Sequence, residues 1–238
     1  STSPSHFEAI NLESSINNNF IDIRNFKLLS DKILDISPDF IFHLAAQPLV
    51  KEAYDNPLKT YETNFTGTLH LLEILRNFDK KCVVVLVTSD KCYENKEWIW
   101  GYKETDQIGG IDPYSASKGA CEIMINSHIK SFFPKNGLVK IGIGRAGNVI
   151  GGGDWSHNRI VPDAVKSWAM KKKLILRNPL STRPWQHVLE PLSGYLELAS
   201  KLCINNSLHG EPFNFGPSSD QNFSVEHLIN AMCKYWDG

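Results

Sequence analysis

Between residues 20 and 149, short apolar runs alternate with stretches whose apolar residues recur every three or four positions. The first pattern is typical of strands covered on both faces, and the second of amphipathic helices. The sequence predicts strands at 20–24, 39–46, 81–89 and 138–149, and helices at 26–37, 56–78 and 113–133. This order is typical of βαβ units with right-handed crossovers. We therefore predict an α/β fold with a Rossmann-like, doubly wound parallel sheet.

The pattern becomes more mixed after Gly151. It predicts helices at 158–170, 189–202 and 224–236, and strands at 172–178 and 212–217. We interpret residues 1–150 as a Rossmann-like domain and residues 151–238 as a smaller, mixed α/β part.

One motif of such folds is missing. A dinucleotide-binding fold normally opens with a strand and a glycine-rich turn that holds the pyrophosphate at a helix N-terminus. The first predicted strand is the acidic 20–24, and "GGGDW" at 151–155 comes late and lacks a P-loop lysine. We therefore expect this chain to lack a first β-α-β unit and a C-terminal portion. We also expect that, alone, it folds poorly and does not hold a dinucleotide.

The composition limits the kinds of partner that we expect for this protein. The formal net charge is -1, so no strong field attracts nucleic acid, and no apolar run reaches the roughly 20 residues of a membrane span. The five cysteines form no C-x-x-C pair, which favours reduced thiols over a disulfide framework and gives no zinc-ligand spacing. We therefore expect a cytoplasmic protein that binds no nucleic acid, membrane or metal.

The predicted strand at 81–89 is followed directly by polar residues. It ends in Ser89, and Asp90 and Lys91 follow. Strand ends are where α/β proteins commonly place their chemistry, although a solvated and inert polar edge explains the same residues.

Tyr114 and Lys118 lie four positions apart, on one face of the predicted helix. A phenol is a poor base at neutral pH, but a nearby ammonium group favours the phenolate. With Ser89 orienting a hydroxyl group, this pair is suited to taking a proton from an alcohol while hydride leaves for a nicotinamide. A pair of surface residues at the same spacing is the alternative.

Longer motifs resemble a known family. "YSASK", "VTSDK", "HLAA" and "ETNFTGT" are similar to the extended short-chain dehydrogenase/reductase superfamily. Within it, "HLAAQPLV", "TSDKCYENKEWIWGY", "DPYSASKG", "RAGNVIGGGDW" and "RPWQHVLEPLSGY" resemble the CDP-glucose 4,6-dehydratases, lyases of deoxysugar and O-antigen precursor synthesis. The resemblance implies NAD as cofactor for residues 1–150, a nucleotide sugar as substrate for residues 151–238, and a homo-oligomer, a dimer or a tetramer.

The resemblance also implies roles for the candidate residues. Tyr114 deprotonates the sugar 4-hydroxyl as hydride leaves C4, Lys118 assists it, and water is then eliminated across C5 and C6. Asp90 matches the acid for the leaving 6-hydroxyl, and Lys91 either takes the C5 proton or stabilises the developing enolate. Related dTDP-glucose dehydratases carry Asp-Glu at these two positions, and the epimerases of the superfamily lack this acid-base pair.

The remaining sites follow by matching motifs. Asp22 and Ile23 correspond to residues that contact adenine, or Asp22 caps the next helix. Leu44, Ala45 and Ala46 line the cofactor, although ordinary core residues would look the same in the sequence. Tyr114 and Lys118 contact the cofactor as well. The nucleotide-sugar contacts are Asn64, Asn148, Arg159 and Arg183. Asn64 is explained equally well as a buried amide, and an arginine fork suits a pyrophosphate.

Three further interpretations remain beside the leading one. The chain could be a dTDP- or GDP-sugar dehydratase, an epimerase, or a non-catalytic fragment that binds a dinucleotide or a partner. His43 precedes "LAA" on a predicted buried strand, so we interpret it as a core residue rather than a catalytic base.

Overall fold

The structure, a computed structural model, describes residues 5–236. Internal contacts divide the chain into two compact units. The larger unit consists of Phe20–Ala146 and Glu190–Phe215. The smaller unit consists of the described parts of Ser1–Asn19, Gly147–Leu189 and Gly216–Gly238. The sequence predicted two continuous domains, at 1–150 and 151–238. These two units are instead each made of separate segments, and the domain boundaries stay a prediction.

The secondary structure alternates along the chain. The α-helices are α1 (His6–Ala9), α2 (Phe26–Ile36), α3 (Val50–Asp55), α4 (Pro57–Tyr61), α5 (Gly67–Leu75), α6 (Pro113–Phe132), α7 (Ile160–Ala169), α8 (Leu189–Ile204) and α9 (Val225–Cys233). The strands are β1 (Phe40–His43), β2 (Cys82–Val87), β3 (Val139–Ala146), β4 (Val149–Ile150), β5 (Thr182–Arg183), β6 (Gln186–His187), β7 (Pro212–Phe215) and β8 (Phe223–Ser224). Short 3₁₀ turns lie at Leu12–Ser14, Asp90–Cys92 and Asn206–Leu208, and a π-turn at Glu62–Thr66.

The larger unit is built on a four-stranded parallel sheet in the order β1-β2-β3-β7. Val85 pairs with Phe42 on one side and with Gly142 on the other. Such parallel pairing needs crossover connections, which the intervening helices supply. The predicted α/β class with a Rossmann-like parallel sheet is confirmed.

Helices cover both faces of this sheet. Val84 and Leu86 of β2 point into a cluster with Leu72 of α5 and Ile125 of α6. The alternate residues of β2 point to the opposite face and pack against α8. Because side chains alternate along a strand, a strand covered on both faces needs an apolar residue at every position. The run "CVVVLV" is therefore a strand buried on both faces, as its sequence predicted, and it pairs with β1 and β3.

Two glycines of β3 let α8 approach the sheet. A Cβ atom on Gly142 would lie 2.8 Å from Leu202 Cδ1, and one on Gly144 would lie 2.8 Å from Tyr195 Cε1. The residues between them, such as Ile143, face the other layer. The alternation in "IGIG" thus places glycine at the positions that face α8 and isoleucine at the positions that face the opposite helical layer.

The predicted helix at 56–78 forms with an irregularity. Pro57 occupies its first turn, where the missing N–H is no loss. The helix then passes from α4 through the π-turn Glu62–Thr66 into α5, which ends at Leu75. Such turns often lie at functional sites, and this one contains Asn64.

Two predicted strands are wrong. Residues 20–24 form no strand, because the Asp22 carboxylate accepts a hydrogen bond of 2.9 Å from the Arg24 N–H and its carbonyl accepts one from Asn25, which closes a turn. Residues 172–178 form no strand either, and Ile175 is exposed rather than paired. An apolar pattern predicts a strand only where a neighbouring strand is available to share its hydrogen bonds.

The predicted strand at 39–46 is shorter than expected. It forms only over β1, so Leu44, Ala45 and Ala46 follow its end. The expected cover on both faces is also wrong, since Phe40 is 49% exposed. In the described residues β1 is an edge strand with β2 as its neighbour.

The smaller unit contains two short strand pairs. β4 pairs with β6 in parallel, and β5 pairs with β8 in antiparallel. Helices α7 and α9 contact each other. The predicted mixture of helices and short strands after residue 151 is present. No helix within residues 5–236 is both long enough and apolar enough to cross a membrane.

Candidate active site

The carboxyl end of β2 carries the predicted Ser89-Asp90-Lys91 triplet. Ser89 is buried and caps the 3₁₀ turn: its hydroxyl accepts a hydrogen bond of 3.1 Å from the Lys91 N–H and donates one of 3.1 Å to Asp90 Oδ1. Asp90 and Lys91 are half-buried. The residues after β2 therefore form an ordered turn. The Ser89 side chain is held in place by its hydrogen bonds to Asp90 and Lys91.

Helix α6 presents Tyr114 and Lys118. Asp112 caps the helix, and its Oδ1 accepts hydrogen bonds of 2.9 Å from the Tyr114 N–H and 3.0 Å from the Ser115 N–H. Tyr114 is 8% exposed and Lys118 5% exposed. The alternative of a solvated surface pair does not fit this burial.

The two elements pack closely together. A Cβ atom on Gly119 would lie 2.4 Å from the Gly109 carbonyl oxygen and 3.3 Å from the Cys92 carbonyl oxygen. Only glycine lets α6 approach the 3₁₀ turn and the loop behind it this closely. The structure therefore brings the Tyr114–Lys118 face of α6 to the turn that contains Asp90 and Lys91.

Burial lowers the pKa of Lys118. The negative charge that Cys121, Glu122 and Cys92 carry when ionised acts in the opposite direction. A desolvated ammonium group next to a phenol is the arrangement that favours a phenolate.

Asn64 lies beneath this face and is 2% exposed. Its Oδ1 accepts a hydrogen bond of 2.8 Å from the Gln47 N–H. Its Nδ2 donates bonds of 3.1 Å to the Gln47 carbonyl and 2.9 Å to the Ser117 hydroxyl. This geometry matches the buried amide that the sequence left as the alternative. A substrate contact through Asn64 stays a prediction.

The sequence did not single out a buried ion pair at this site. Arg145 of β3 donates to Glu122 of α6 through Nε, at 2.9 Å from Oε1, and through Nη2, at 2.8 Å from Oε2. Each residue is 5% exposed. The available signals were a glutamate four positions after Lys118 and an arginine inside the apolar run "IGIGRAGN". The Thr88 hydroxyl also donates to Glu122 Oε1.

Of the predicted cofactor residues, Asp22 borders an open groove. The groove has a volume of about 610 Å³ and is lined by Asp22, Arg24, Asn25, Phe26, Glu62 and Thr66. Hydrogen bonds from Arg24 lower the pKa of Asp22 to about 2, so this exposed carboxylate is ionised at neutral pH. Ile23 is half-buried, and its side chain fills the space beside Gly67.

The other cofactor residues follow β1. Leu44 and Ala45 are exposed and Ala46 is half-buried, so backbone at the carboxyl end of this strand is accessible. The groove that Asp22 lines has a volume large enough for part of a nucleotide. Tyr114 and Lys118 lie at the same carboxyl edge of the sheet, through the turn after β2.

Asn148, Arg159 and Arg183 belong to the smaller unit, and all three are half-buried. The Asn148 carbonyl accepts a hydrogen bond of 3.1 Å from the Gln186 N–H, and Arg183 Nη1 donates one of 2.6 Å to the Thr182 carbonyl. Arg159 Nε lies 3.5 Å from Asp154 Oδ2 and is a buried donor with no hydrogen bond among residues 5–236. A buried arginine N–H group that has no hydrogen bond within the protein suits an anionic ligand.

His43 is a satisfied core residue, as the sequence predicted. It is buried, and its Nε2 lies 2.9 Å from the Thr68 hydroxyl, which itself donates to the Asn64 carbonyl. Burial lowers the pKa of His43 to about 4. The described part of the chain contains no cluster of three or more His, Cys, Asp or Glu residues with the geometry to hold a metal ion.

Comparison with known proteins places the chain in a protein family. Residues 4–206 match the family described as GDP-mannose 4,6 dehydratase. The chain is 45% identical to CDP-glucose 4,6-dehydratase of Salmonella typhimurium, over 99% of this chain and 67% of that protein. It is 26% identical to CDP-paratose 2-epimerase of Salmonella typhi, over 90% of this chain and 68% of that protein. The chain thus spans about two thirds of the length of these relatives.

Solved structures agree on the fold. A double mutant of dTDP-glucose 4,6-dehydratase from Streptomyces venezuelae, crystallised with NAD, has a TM-score of 0.80 at 21% identity over 94% of this chain and 66% of that one. UDP-glucose 4-epimerase from Thermotoga maritima has a TM-score of 0.79 at 20% identity, over 94% of this chain and 72% of that one.

Proposed function

Because this chain belongs to the GDP-mannose 4,6 dehydratase family, we propose that its full-length protein dehydrates CDP-D-glucose to CDP-4-dehydro-6-deoxy-D-glucose, with NAD as cofactor. The observation that carries the choice of substrate is the 45% identity to a CDP-glucose 4,6-dehydratase over 99% of the chain. The enzyme is then a hydro-lyase that serves deoxysugar and O-antigen precursor synthesis.

The buried Tyr114 and Lys118 support the oxidation at C4. Tyr114 takes the proton of the 4-hydroxyl, and Lys118 stabilises the phenolate that must exist before each turnover. Ser89 orients the same hydroxyl by hydrogen bonding. NAD, when bound, accepts the hydride from C4 and gives it back at C6, so the whole reaction is redox-neutral.

The strand-end acid supports the elimination. The 4-ketone acidifies the C5 proton, so the C5–H bond breaks while the C6–O bond breaks and water leaves. Asp90 protonates the leaving 6-hydroxyl, and Lys91 takes the C5 proton or stabilises the enolate. The proton lost from C5 is returned there when hydride arrives at C6.

The groove at Asp22, the exposed Leu44 and Ala45, and the buried Lys118 fit a bound dinucleotide. Asp22 and Ile23 hold its adenine end, and Leu44, Ala45 and Ala46 line its path. Asn148, Arg159 and Arg183 bind the nucleotide sugar, the arginines through its diphosphate. Asn64, predicted as a further contact, supports the site through its buried hydrogen bonds to Gln47 and Ser117.

The expected setting follows from the same proposal. Cys82, Cys92 and Cys121 are buried free thiols, which suits a reducing compartment such as the cytoplasm. We propose a homo-oligomer, a dimer or a tetramer, for the full-length protein.

The test is turnover by the full-length protein with NAD. We expect CDP-glucose, but not dTDP- or GDP-sugars, to give a product that absorbs as a 4-keto sugar in alkali. Tyr114→Phe should give no transient NADH absorbance at all. Turnover of dTDP-glucose without turnover of CDP-glucose would remove the CDP assignment, and interconversion at C4 without water loss would make the protein an epimerase.

A further inference from the structure

The Glu122–Arg145 ion pair has no part in the chemistry proposed above, although it lies directly against the residues that do. Buried ion pairs are weak evidence for stability, because apolar residues of similar volume often stabilise as well or better. A buried pair at a reaction centre therefore calls for a role besides holding the fold together.

Glu122 connects the two halves of the site. Tyr114, Lys118 and Glu122 follow one another at intervals of four on α6, so they share one face of the helix. On the other side, Glu122 Oε1 accepts the hydroxyl proton of Thr88, the residue before Ser89 and Asp90. One carboxylate thus contacts β2 at the strand end while it belongs to the helix of the proposed base.

Arg145 holds that carboxylate in place and extends the connection. Besides its two bonds to Glu122, it donates through Nη1 to the Tyr93 hydroxyl at 2.8 Å and to the Glu104 carbonyl at 3.0 Å. Tyr93 in turn donates to Asn214 Oδ1 of β7 at 2.6 Å. Burial alone would lower the pKa of Arg145, but the hydrogen bonds and charge of Glu122 outweigh burial and raise it. Arg145 is therefore a permanent cation fixed on three sides.

We propose that Glu122 is a positioning residue: its carboxylate, fixed by Arg145, sets the offset of Ser89–Asp90 from Tyr114–Lys118 and places a negative charge one helical turn from the Lys118 ammonium group. This inference rests on the proposed function for its kinetic consequences. Its geometric part does not depend on the identity of the substrate.

The groups around Lys118 determine how the loss of the Glu122 charge should affect the protonation of Lys118. On its own helix Lys118 has Tyr114, Cys121 and Glu122, and Cys92 comes from the 3₁₀ turn. His43 of β1 also interacts with it electrostatically, and burial keeps that imidazole neutral near pH 7. The thiols of Cys92 and Cys121 have raised pKa values because they are buried, so they are neutral as well. Of the three groups whose negative charge would favour the Lys118 ammonium group, Glu122 is thus the carboxylate.

The experiment compares Glu122→Gln with wild type in the full-length protein loaded with NAD. We expect kcat on CDP-glucose to fall about 10- to 100-fold with KM changed less than about twofold, because the variant alters the alignment of the reacting groups and the charge next to Lys118 but no residue proposed to bind the substrate. NMR of ε-¹³C-lysine, with the signal assigned by Lys118→Arg, should show Lys118 losing its proton about one pH unit lower or more. Glu197→Gln, an exposed change on α8, is the control and should alter neither readout.

Two more variants separate positioning from stability. Glu122→Gln/Arg145→Met removes both charges and should recover Tm without recovering kcat or the lysine titration. Thr88→Val keeps the ion pair and breaks only the strand-end contact, so kcat should fall while the Lys118 titration stays as in wild type. Thr88→Val also tests the proposal if Glu122→Gln does not fold.

The proposal is wrong if kcat returns together with Tm in the double variant, or if Lys118 titrates identically in Glu122→Gln and wild type. The lysine titration needs no substrate. A wild-type protein that does not turn over CDP-glucose would therefore overturn the proposed function, while the titration still decides the role of Glu122.

Discussion

The side-chain amide of Asn64 donates a hydrogen bond of 2.9 Å to the hydroxyl of Ser117, which donates one of 2.7 Å to the carbonyl of Tyr114. The first turn of α6 is therefore tied to the π-turn before α5. Since Asn64 also binds both backbone groups of Gln47, one amide connects the loop after β1 with the helix that carries the proposed base.

Asn64→Ala should destabilise the protein. It leaves the Gln47 N–H, the Gln47 carbonyl and the Ser117 hydroxyl without this partner in a buried place, so we expect the free energy of unfolding to fall by about 1–3 kcal/mol. Urea denaturation of the full-length protein measures this. The exposed Asn77→Ala should stay within about 0.5 kcal/mol of wild type, and an equal loss in both variants would contradict the buried role.

Gly119→Ala should damage both stability and turnover. The new methyl group would meet the Gly109 carbonyl oxygen at 2.4 Å, and a backbone atom cannot rotate away. We expect a loss of about 1–3 kcal/mol and a fall in kcat, because Lys118 is the neighbouring residue. Gly101→Ala is the matched control, since a Cβ there meets nothing within 4 Å. A Gly119→Ala enzyme with wild-type melting and rate would show that the helix can move aside freely.

His43 should make stability depend on pH on the acid side. Its pKa is about 4 in the folded protein against 6.5 ordinarily, because it is buried. Above pH 6.5 it is neutral in both states; as the pH falls from about 6.5 to 4, the unfolded chain binds a proton that the folded protein does not. The stability should therefore fall with falling pH, by about 3 kcal/mol from this residue over that window.

Urea denaturation at several pH values tests the His43 prediction. His43→Asn should reduce the slope of stability against pH, and the exposed His157→Asn should leave it unchanged. Some slope should remain in His43→Asn, since burial also lowers the pKa of His209. An identical slope in wild type and His43→Asn would show that His43 titrates normally.

Arg183→Met should weaken substrate binding more than it slows the chemistry. If Arg183 binds the diphosphate as proposed, losing that charge-assisted hydrogen bond should raise KM for CDP-glucose about tenfold or more, with kcat much less affected. Arg177→Met removes an exposed arginine of the same unit and should leave KM unchanged. If both variants raise KM equally, the effect comes from net charge and not from a contact of Arg183.

The sequence predicted the central parts of the fold better than its margins. The run "CVVVLV" and the helix from Pro113 were predicted correctly, because a strand buried on both faces and a capped helix leave strong local patterns. The strand predicted at 20–24 failed because the side chain of Asp22 captures the backbone of Arg24, and local hydrogen bonding outweighed the apolar pattern.

The sequence predicted the individual residues of the site but not the hydrogen bonds and ion pairs that connect them. Strand-end position and helical spacing singled out Asp90, Tyr114 and Lys118. The family resemblance, which implied their roles, is confirmed by the 45% identical relative. The pair Glu122–Arg145 escaped because its members lie 23 positions apart on different elements, and a single charge in an apolar run does not reveal its partner. Such pairing is a property of tertiary structure, and no local pattern encodes it.

The π-turn at Glu62–Thr66 changes the direction about the helix axis in which the following residues point. A π-turn holds about one residue more than an α-turn, and each residue rotates the helix by about 100°. Deleting one residue here would rotate the whole downstream stripe of Leu71, Leu72 and Leu75 out of phase with α4. The inserted residue therefore sets which side of α5 faces the sheet while α4 packs against α6.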